Sequence, residues 1–185
     1  MKQTLIVIPL VWFTILTTLV AAQSLSLPER EETARFIATR QNPDGGFSAE
    51  PGGVSTLGAT TASIRVLRYT ADSIPDVLAC VDVVRSCFHR ETGGASQTPG
   101  GNPDVATTAS GLMALAELRE IDERLVGPAT EYLSAHAKSF ADIRIAVAGL
   151  EAIEQASPRF EEWTQMLLES RKDDGTWGEG ASIAF

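Results

Sequence analysis

Apolar side chains recur every three to four residues along most of the chain, which is the spacing of one face of an α-helix. Amphipathic segments of this kind, such as 74–89, alternate with uncharged segments such as 105–115 and 145–150. An amphipathic helix buries one face, whereas a helix that is apolar all round is buried on both sides. The pattern therefore predicts outer helices that alternate with buried inner ones, and strand signals are nearly absent.

Seven helices are predicted on this basis, and an eighth begins near Ala181. Their bounds are 27–40, 56–70, 74–89, 105–119, 124–137, 142–155 and 158–171. Serines that start capping boxes, or that precede a first-turn proline, mark three helix starts. These pairs are Ser26 with Glu29, Ser73 with Asp76, and Ser157 with Pro158.

The chain repeats itself at a spacing of about 48 residues, the offset that aligns its glycine-rich loops. That offset lays 45–46 (Gly-Gly) on 93–94 and 51–53 (Pro-Gly-Gly) on 99–101. A larger offset lays 44–47 (DGGF) on 174–177 (DGTW). Shorter helix segments also match, at offsets of 47 and 38 residues. Each unit thus consists of an outer helix, a glycine-rich loop and an inner helix.

Two all-α architectures fit alternating outer and inner helices. One is an open solenoid of the HEAT type, which has a similar period. The other is a closed double ring, in which inner helices are wrapped by outer ones. The long glycine-rich loops at 42–54 and 91–103, together with the uncharged inner helices, favour the ring.

The charge of the chain argues against nucleic-acid binding. It carries 24 acidic and 15 basic residues, a net charge of −9. Proteins that bind nucleic acid hold the phosphate backbone with clustered lysine and arginine, so no nucleic-acid partner is expected.

The N-terminus has the pattern of a secretory signal peptide. Lys2 precedes an apolar stretch over 4–20, and the small residues at 20–22 form a cleavage site. Cleavage after Ala22 would export the mature chain, 23–185, to the periplasm or the exterior, with no membrane span remaining. The alternative is a retained N-terminal anchor, because an apolar run of this length can cross a bilayer.

Two cysteines, Cys80 and Cys87, fall in one predicted helix. Seven residues of helix separate their Cα atoms by roughly 10 Å. A disulfide needs less than about 7 Å, so two buried free thiols are expected.

The loops also resemble a known family. The sequence at 41–47 (QNPDGGF) is similar to the Q-x3-G-x-aromatic motif of the prenyltransferase and squalene-oxidase repeat. A second copy is similar at 171–178, with Arg171 in place of the glutamine. Segments 93–94, 99–104 and 111–115 resemble the loop and inner helix of protein prenyltransferase β subunits. The resemblance spans 26–185.

The resemblance implies an α/α toroid of about six helical hairpins around an apolar cavity that holds an isoprenoid. The family includes zinc-dependent protein prenyltransferase β subunits, which pair with an α subunit, and triterpene cyclases, which protonate a polyene with an aspartate cluster. Residues 23–185 would supply about three and a half hairpins, so we expect a partial toroid and a longer parent protein.

Neither family chemistry finds its full residue set in the sequence. The zinc-site pattern D-x-x-H-T reads 104–108 (DVATT) here, so Thr107 occupies the histidine position, and an Asp-x-Cys pair is absent. His89 and His136 fall near the ends of predicted outer helices. Asp173 and Asp174 lack the upstream aspartate of a cyclase acid and are expected to form a turn. No metal, cofactor or catalytic residue is assigned, and zinc would require ligands from further sequence.

Arg65 and Arg144 are the candidate substrate-binding residues. Both lie in inner helices, where an unpaired charge is costly, and a guanidinium facing the cavity can bind a diphosphate bidentately. The alternative is that each is paired or lies at a helix end.

The leading functional hypothesis is a prenyltransferase β-subunit-like protein that binds an isoprenoid or another apolar chain and transfers a prenyl group. The first alternative is an exported, non-catalytic binding or interaction protein on the same scaffold, with a protein partner. Further alternatives are a triterpene cyclase-like fragment and a HEAT-like adaptor.

Overall fold

The structure, a computed structural model, describes residues 26–70 and 73–177. These ranges hold seven α-helices and, within them, no strand longer than an isolated bridge. The helices are α1 (Leu27–Ala38), α2 (Leu57–Thr70), α3 (Val77–Ser86), α4 (Val105–Leu118), α5 (Glu123–His136), α6 (Phe140–Ala152) and α7 (Phe160–Glu169). The predicted signal peptide at 1–22 and the predicted helix near Ala181 lie outside the described residues.

All seven predicted helices within the described ranges form, with bounds a few residues from those expected. The capping box at Ser26 is present, since its backbone N–H and hydroxyl both donate to the Glu29 carboxylate. The start of α3 differs, because Asp76, not Ser73, is its cap and accepts from the backbone N–H of Ala79 at 3.0 Å. Proline disfavours helical backbone at the residue before it, so Pro75 delays the helix.

The start of α7 also differs from the prediction. The helix begins at Phe160, two residues after Pro158. Ser157 still contributes, since its hydroxyl accepts from the backbone N–H of Arg159 and donates to the hydroxyl of Ser134 on α5.

The inner layer consists of α2, α4 and α6, and α4 packs against both of the others. Outer helices α3 and α5 pack against the inner pairs that flank them, and α1 packs against α2. Ala109, Leu112 and Leu115 of α4 are fully buried, as expected for an uncharged inner helix. The predicted all-α toroid architecture of alternating outer and inner helices is thereby confirmed.

The loops repeat down to single hydrogen bonds. Thr60 on α2 donates its hydroxyl toward the first loop by accepting the backbone N–H of Phe47 at 2.9 Å. Thr108 on α4 accepts the backbone N–H of Ala95 in the same way at 2.7 Å. Glycines 45, 93 and 175 share the left-handed conformation, with φ of 90°, 73° and 82°. The sequence repeat is therefore a structural repeat.

Each of the first two loops fastens its hairpin to the next outer helix. A Cβ on Gly45 would lie 2.3 Å from the backbone carbon of Ala79 on α3, and one on Gly93 would lie 2.2 Å from that of Pro128 on α5. Gln41 adds a bond pair, since its amide donates to the Asp76 carbonyl and accepts the Asp76 N–H, both at 2.9 Å. Only glycine permits such close backbone contact.

Both cysteines are buried and free, as predicted. Burial, with a smaller contribution from the charge of Asp76, raises the pKa of Cys80 to about 12. Burial also raises the pKa of Cys87. Among the described residues, no helix combines the length and hydropathy needed to cross a bilayer.

Candidate functional site

The inner helices share one exposed surface, on the side away from the outer layer. Its residues recur at helical spacing and are exposed or half-buried, unlike the rest of α4. We call this surface the inner face. It comprises Ala62 and Arg65 of α2, Ala106, Ser110, Met113 and Glu117 of α4, and Arg144, Ala148 and Glu151 of α6.

Arg65 lies on the inner face and is paired. Its Nε donates to Oε1 of Glu117 at 3.3 Å, which links α2 to α4. Both side chains are partly exposed, and pairs of this kind contribute about 0–1 kcal/mol. The pair fixes the lateral register of the two helices on this face, and it engages one edge of the Arg65 guanidinium.

Arg144 lies on the inner face of α6 and is exposed. Within residues 26–70 and 73–177 it makes no hydrogen bond or ion pair. By the repeat offsets, Arg144 is level with Ala106 of α4, whereas Arg65 is level with Met113. Seven residues of helix correspond to about 10 Å along the axis, and α4 lies between α2 and α6. The two arginines therefore share a face but do not converge on one point.

The position equivalent to the family zinc site is a closed hydrogen-bond cluster. Asp104 caps α4, accepting the Thr107 backbone N–H on Oδ1 and its hydroxyl on Oδ2, both at 2.7 Å. Gln97 donates to the Thr107 hydroxyl at 2.9 Å, and Thr107 is buried. Since both carboxylate oxygens serve the cap and a threonine replaces the histidine, these residues do not fit a zinc ion.

The remaining candidate ligands are scattered. No group of three His, Cys, Asp or Glu side chains within the described part of the chain is placed to hold a metal. His89 faces the hydroxyl of Ser96 at 3.1 Å, and His136 stacks on Tyr132. Both lie near the ends of outer helices, as the sequence indicates.

The aspartate pair of the third loop is a turn. Oδ1 of Asp174 accepts the backbone N–H and the hydroxyl of Thr176, at 2.9 and 2.7 Å. These bonds hold the pKa of Asp174 below its ordinary value, which favours the charged form. A cyclase acid must carry a proton to give, so Asp174 is suited to shaping the loop rather than to protonating a polyene.

Sequence reasoning missed a cavity of about 480 Å³ on the outer side, between the end of α3 and the start of α5. We call it the α3–α5 pocket. Its lining combines cationic and apolar side chains: Arg85, Phe88, His89, Arg90, Gly93, Asp122, Arg124, Leu125 and Pro128. The contributing segments are about 35 residues apart in sequence, and only helix packing unites them.

Alternating helices, repeated loops and a buried central helix define an all-α protein of the α/α toroid class. The model of the prenyltransferase alpha-alpha toroid domain matches residues 5–138 and again residues 79–160. The chain therefore belongs to this family, and the overlap of the two matches agrees with its internal repeats. A comparison with curated proteins gives no match.

Proposed function

We propose that this protein binds an extended apolar ligand, of which an isoprenoid is the family example, along its inner face. The observation that carries the proposal is the α4 part of that face. Ala106, Ser110 and Met113 are uncharged, accessible and aligned over two helical turns. Ala62 and Ala148 flank them on the neighbouring helices. Small side chains leave room for a chain, and methionine adapts its shape to one.

An anionic head group on such a ligand would meet an arginine. Arg144 is the better candidate, because Glu117 already neutralises Arg65 at 3.3 Å. A free guanidinium offers two parallel N–H donors to a diphosphate. We therefore assign Arg144 to the head group, and Arg65 with Glu117 to the border of the apolar surface.

The proposal is binding without zinc-dependent transfer. The carboxylate of Asp104 is committed to the cap of α4 and to Thr107, so no cofactor is assigned to the chain. The predicted export of the mature chain is part of the proposal, since a binding protein needs no cytosolic prenyl acceptor.

The test is calorimetric titration with farnesyl diphosphate and with farnesol. Met113→Asp places a charge where the chain would lie, and is expected to weaken both ligands by about tenfold or more. Leu78→Asp is the matched control, because Leu78 is 71% exposed on α3 and the charge change is the same. Arg144→Gln should weaken the diphosphate but leave farnesol unchanged. Failure of both ligands to bind saturably would refute the proposal.

The second candidate is a protein-binding role for the same scaffold. Phe160 and Leu168 on α7 are each 60% exposed, which is unusual for large apolar side chains. Leu168→Asp should abolish capture of a defined partner while leaving farnesol titration unchanged. Lipid binding with no loss of any partner would favour the first proposal.

A further inference from the structure

The α3–α5 pocket is separate from the inner face and unused by the proposed function. It lies at the outer surface, where the chain leaves α3, forms the second loop and later enters α5. Its volume of about 480 Å³ is in the range of small-molecule sites.

The pocket is cationic in a chain that is acidic overall. Arg85, Arg90 and Arg124 line it, with Asp122 as the one lining carboxylate. Arg90 has no hydrogen bond or ion pair within the part of the chain that the structure describes. Against a net charge of −9, three arginines around one cavity are a local reversal of sign. Such a cavity attracts anions that the rest of the surface repels.

Two of the arginines are held in place by acidic neighbours. Nη2 of Arg85 donates to the carbonyl of Glu120 at 2.8 Å and to its carboxylate at 3.0 Å. This anchor comes from the turn before α5 and fixes the guanidinium at the pocket wall. Preorganised donors lower the cost of ordering side chains when a ligand binds.

The lining carboxylate is already neutralised. Asp122 accepts Nε and Nη2 of Arg124 at 3.1 and 2.8 Å, and also the Arg124 backbone N–H at 3.0 Å. The side-chain bonds, followed by the backbone bond, lower the pKa of Asp122 to about 2. Its repulsion toward a bound anion is therefore offset by the arginine that it holds.

The remaining wall is apolar. Phe88, Leu125 and Pro128 face the same cavity as the arginines. An inorganic anion would leave this wall without a partner, whereas an anion that carries an aromatic or short alkyl group would cover it. We infer that the α3–α5 pocket binds a phosphate monoester with a small apolar group, its phosphate on Arg90 and Arg124 and its apolar group against Phe88 and Leu125.

The test is isothermal titration of the full chain with phenyl phosphate, inorganic phosphate and phenol. Phenyl phosphate is expected to bind saturably, and at least about fivefold more tightly than either of the other probes. Arg90→Gln and Arg124→Gln should each weaken it by about fivefold or more, with circular dichroism unchanged. Arg35→Gln, an exposed arginine on α1, is the control for the loss of one positive charge and should stay within twofold.

Three results would overturn the inference. One is the absence of saturable phenyl phosphate binding, and another is an equal loss in the Arg35→Gln control. The third is equal affinity for inorganic phosphate, which would remove the role of the apolar wall. Because Met113→Asp leaves this pocket intact, its effect on phenyl phosphate separates failure here from failure at the inner face.

Discussion

Gly93→Ala tests how strongly the second loop is fastened to α5. Gly93 has φ of +73°, a left-handed conformation, and an added Cβ would lie 2.2 Å from the backbone carbon of Pro128 and 2.6 Å from the backbone nitrogen of Ala129. Real Cβ atoms do not approach backbone this closely, so the loop or the helix must shift. Gly100, in the same loop, is the matched control, since its φ is +77° and nothing lies within 4 Å of its added Cβ.

The magnitude follows from three contributions to the free energy of unfolding. A left-handed alanine costs about 1–2 kcal/mol at either position. The loss of chain entropy in the unfolded state returns about 0.4–1 kcal/mol at both. Overpacking adds about 1–3 kcal/mol at Gly93 alone. Gly93→Ala should therefore destabilise by about 2–4 kcal/mol, and Gly100→Ala by about 1 kcal/mol.

The assay is urea denaturation followed by circular dichroism at 222 nm, with thermal melting as a second measure. For a chain of this size about 1 kcal/mol corresponds to a change in Tm of roughly 2–4 °C. Gly93→Ala should melt clearly below Gly100→Ala. Equal destabilisation of the two variants would show that the contact with Pro128 contributes nothing beyond backbone conformation.

Three further predictions use single groups. Thr108→Val removes the acceptor of the buried Ala95 N–H and should cost about 1–3 kcal/mol in urea titration; an unchanged midpoint would contradict the bond. Because the pKa of Asp122 falls from its ordinary 3.8 to about 2, its contribution to stability is complete above pH 4 and is lost as pH falls toward 2. Asp122→Asn should lack that loss in melts across this range. Cys80 and Cys87 should resist iodoacetamide at pH 8 until urea unfolds the chain, as mass spectrometry would show; rapid native labelling would refute their burial.

The fold was predictable because the repeat appears twice over, in helix periodicity and in loop glycines. Gly45 and Gly93 stand out in the sequence, and the structure gives both the same left-handed backbone and the same close contact with the next helix. Helix ends were less predictable, since they depend on competition between caps. Asp76 prevails over Ser73 because Pro75 lies between them.

The candidate sites were harder to predict because a charge has the same sequence appearance whether it is paired or free. Arg65 and Arg144 look alike in their helices, yet Arg65 meets Glu117 from another repeat. The α3–α5 pocket depends likewise on Arg90 and Arg124, which come together only when two outer helices pack. The local cue was the run of basic residues that follows α3, at 89–90.

The fastening of each loop to the next outer helix has a consequence for cooperativity. Gln41 and Gly45 join the first hairpin to α3, and Gly93 joins the second to α5, so each hairpin is stabilised by its neighbour along the chain. In such a nearest-neighbour array, opening spreads inward from the ends. Amide protons of α4, which has partners on both sides, should then be the last to exchange with solvent, making the middle of the described chain its kinetic anchor.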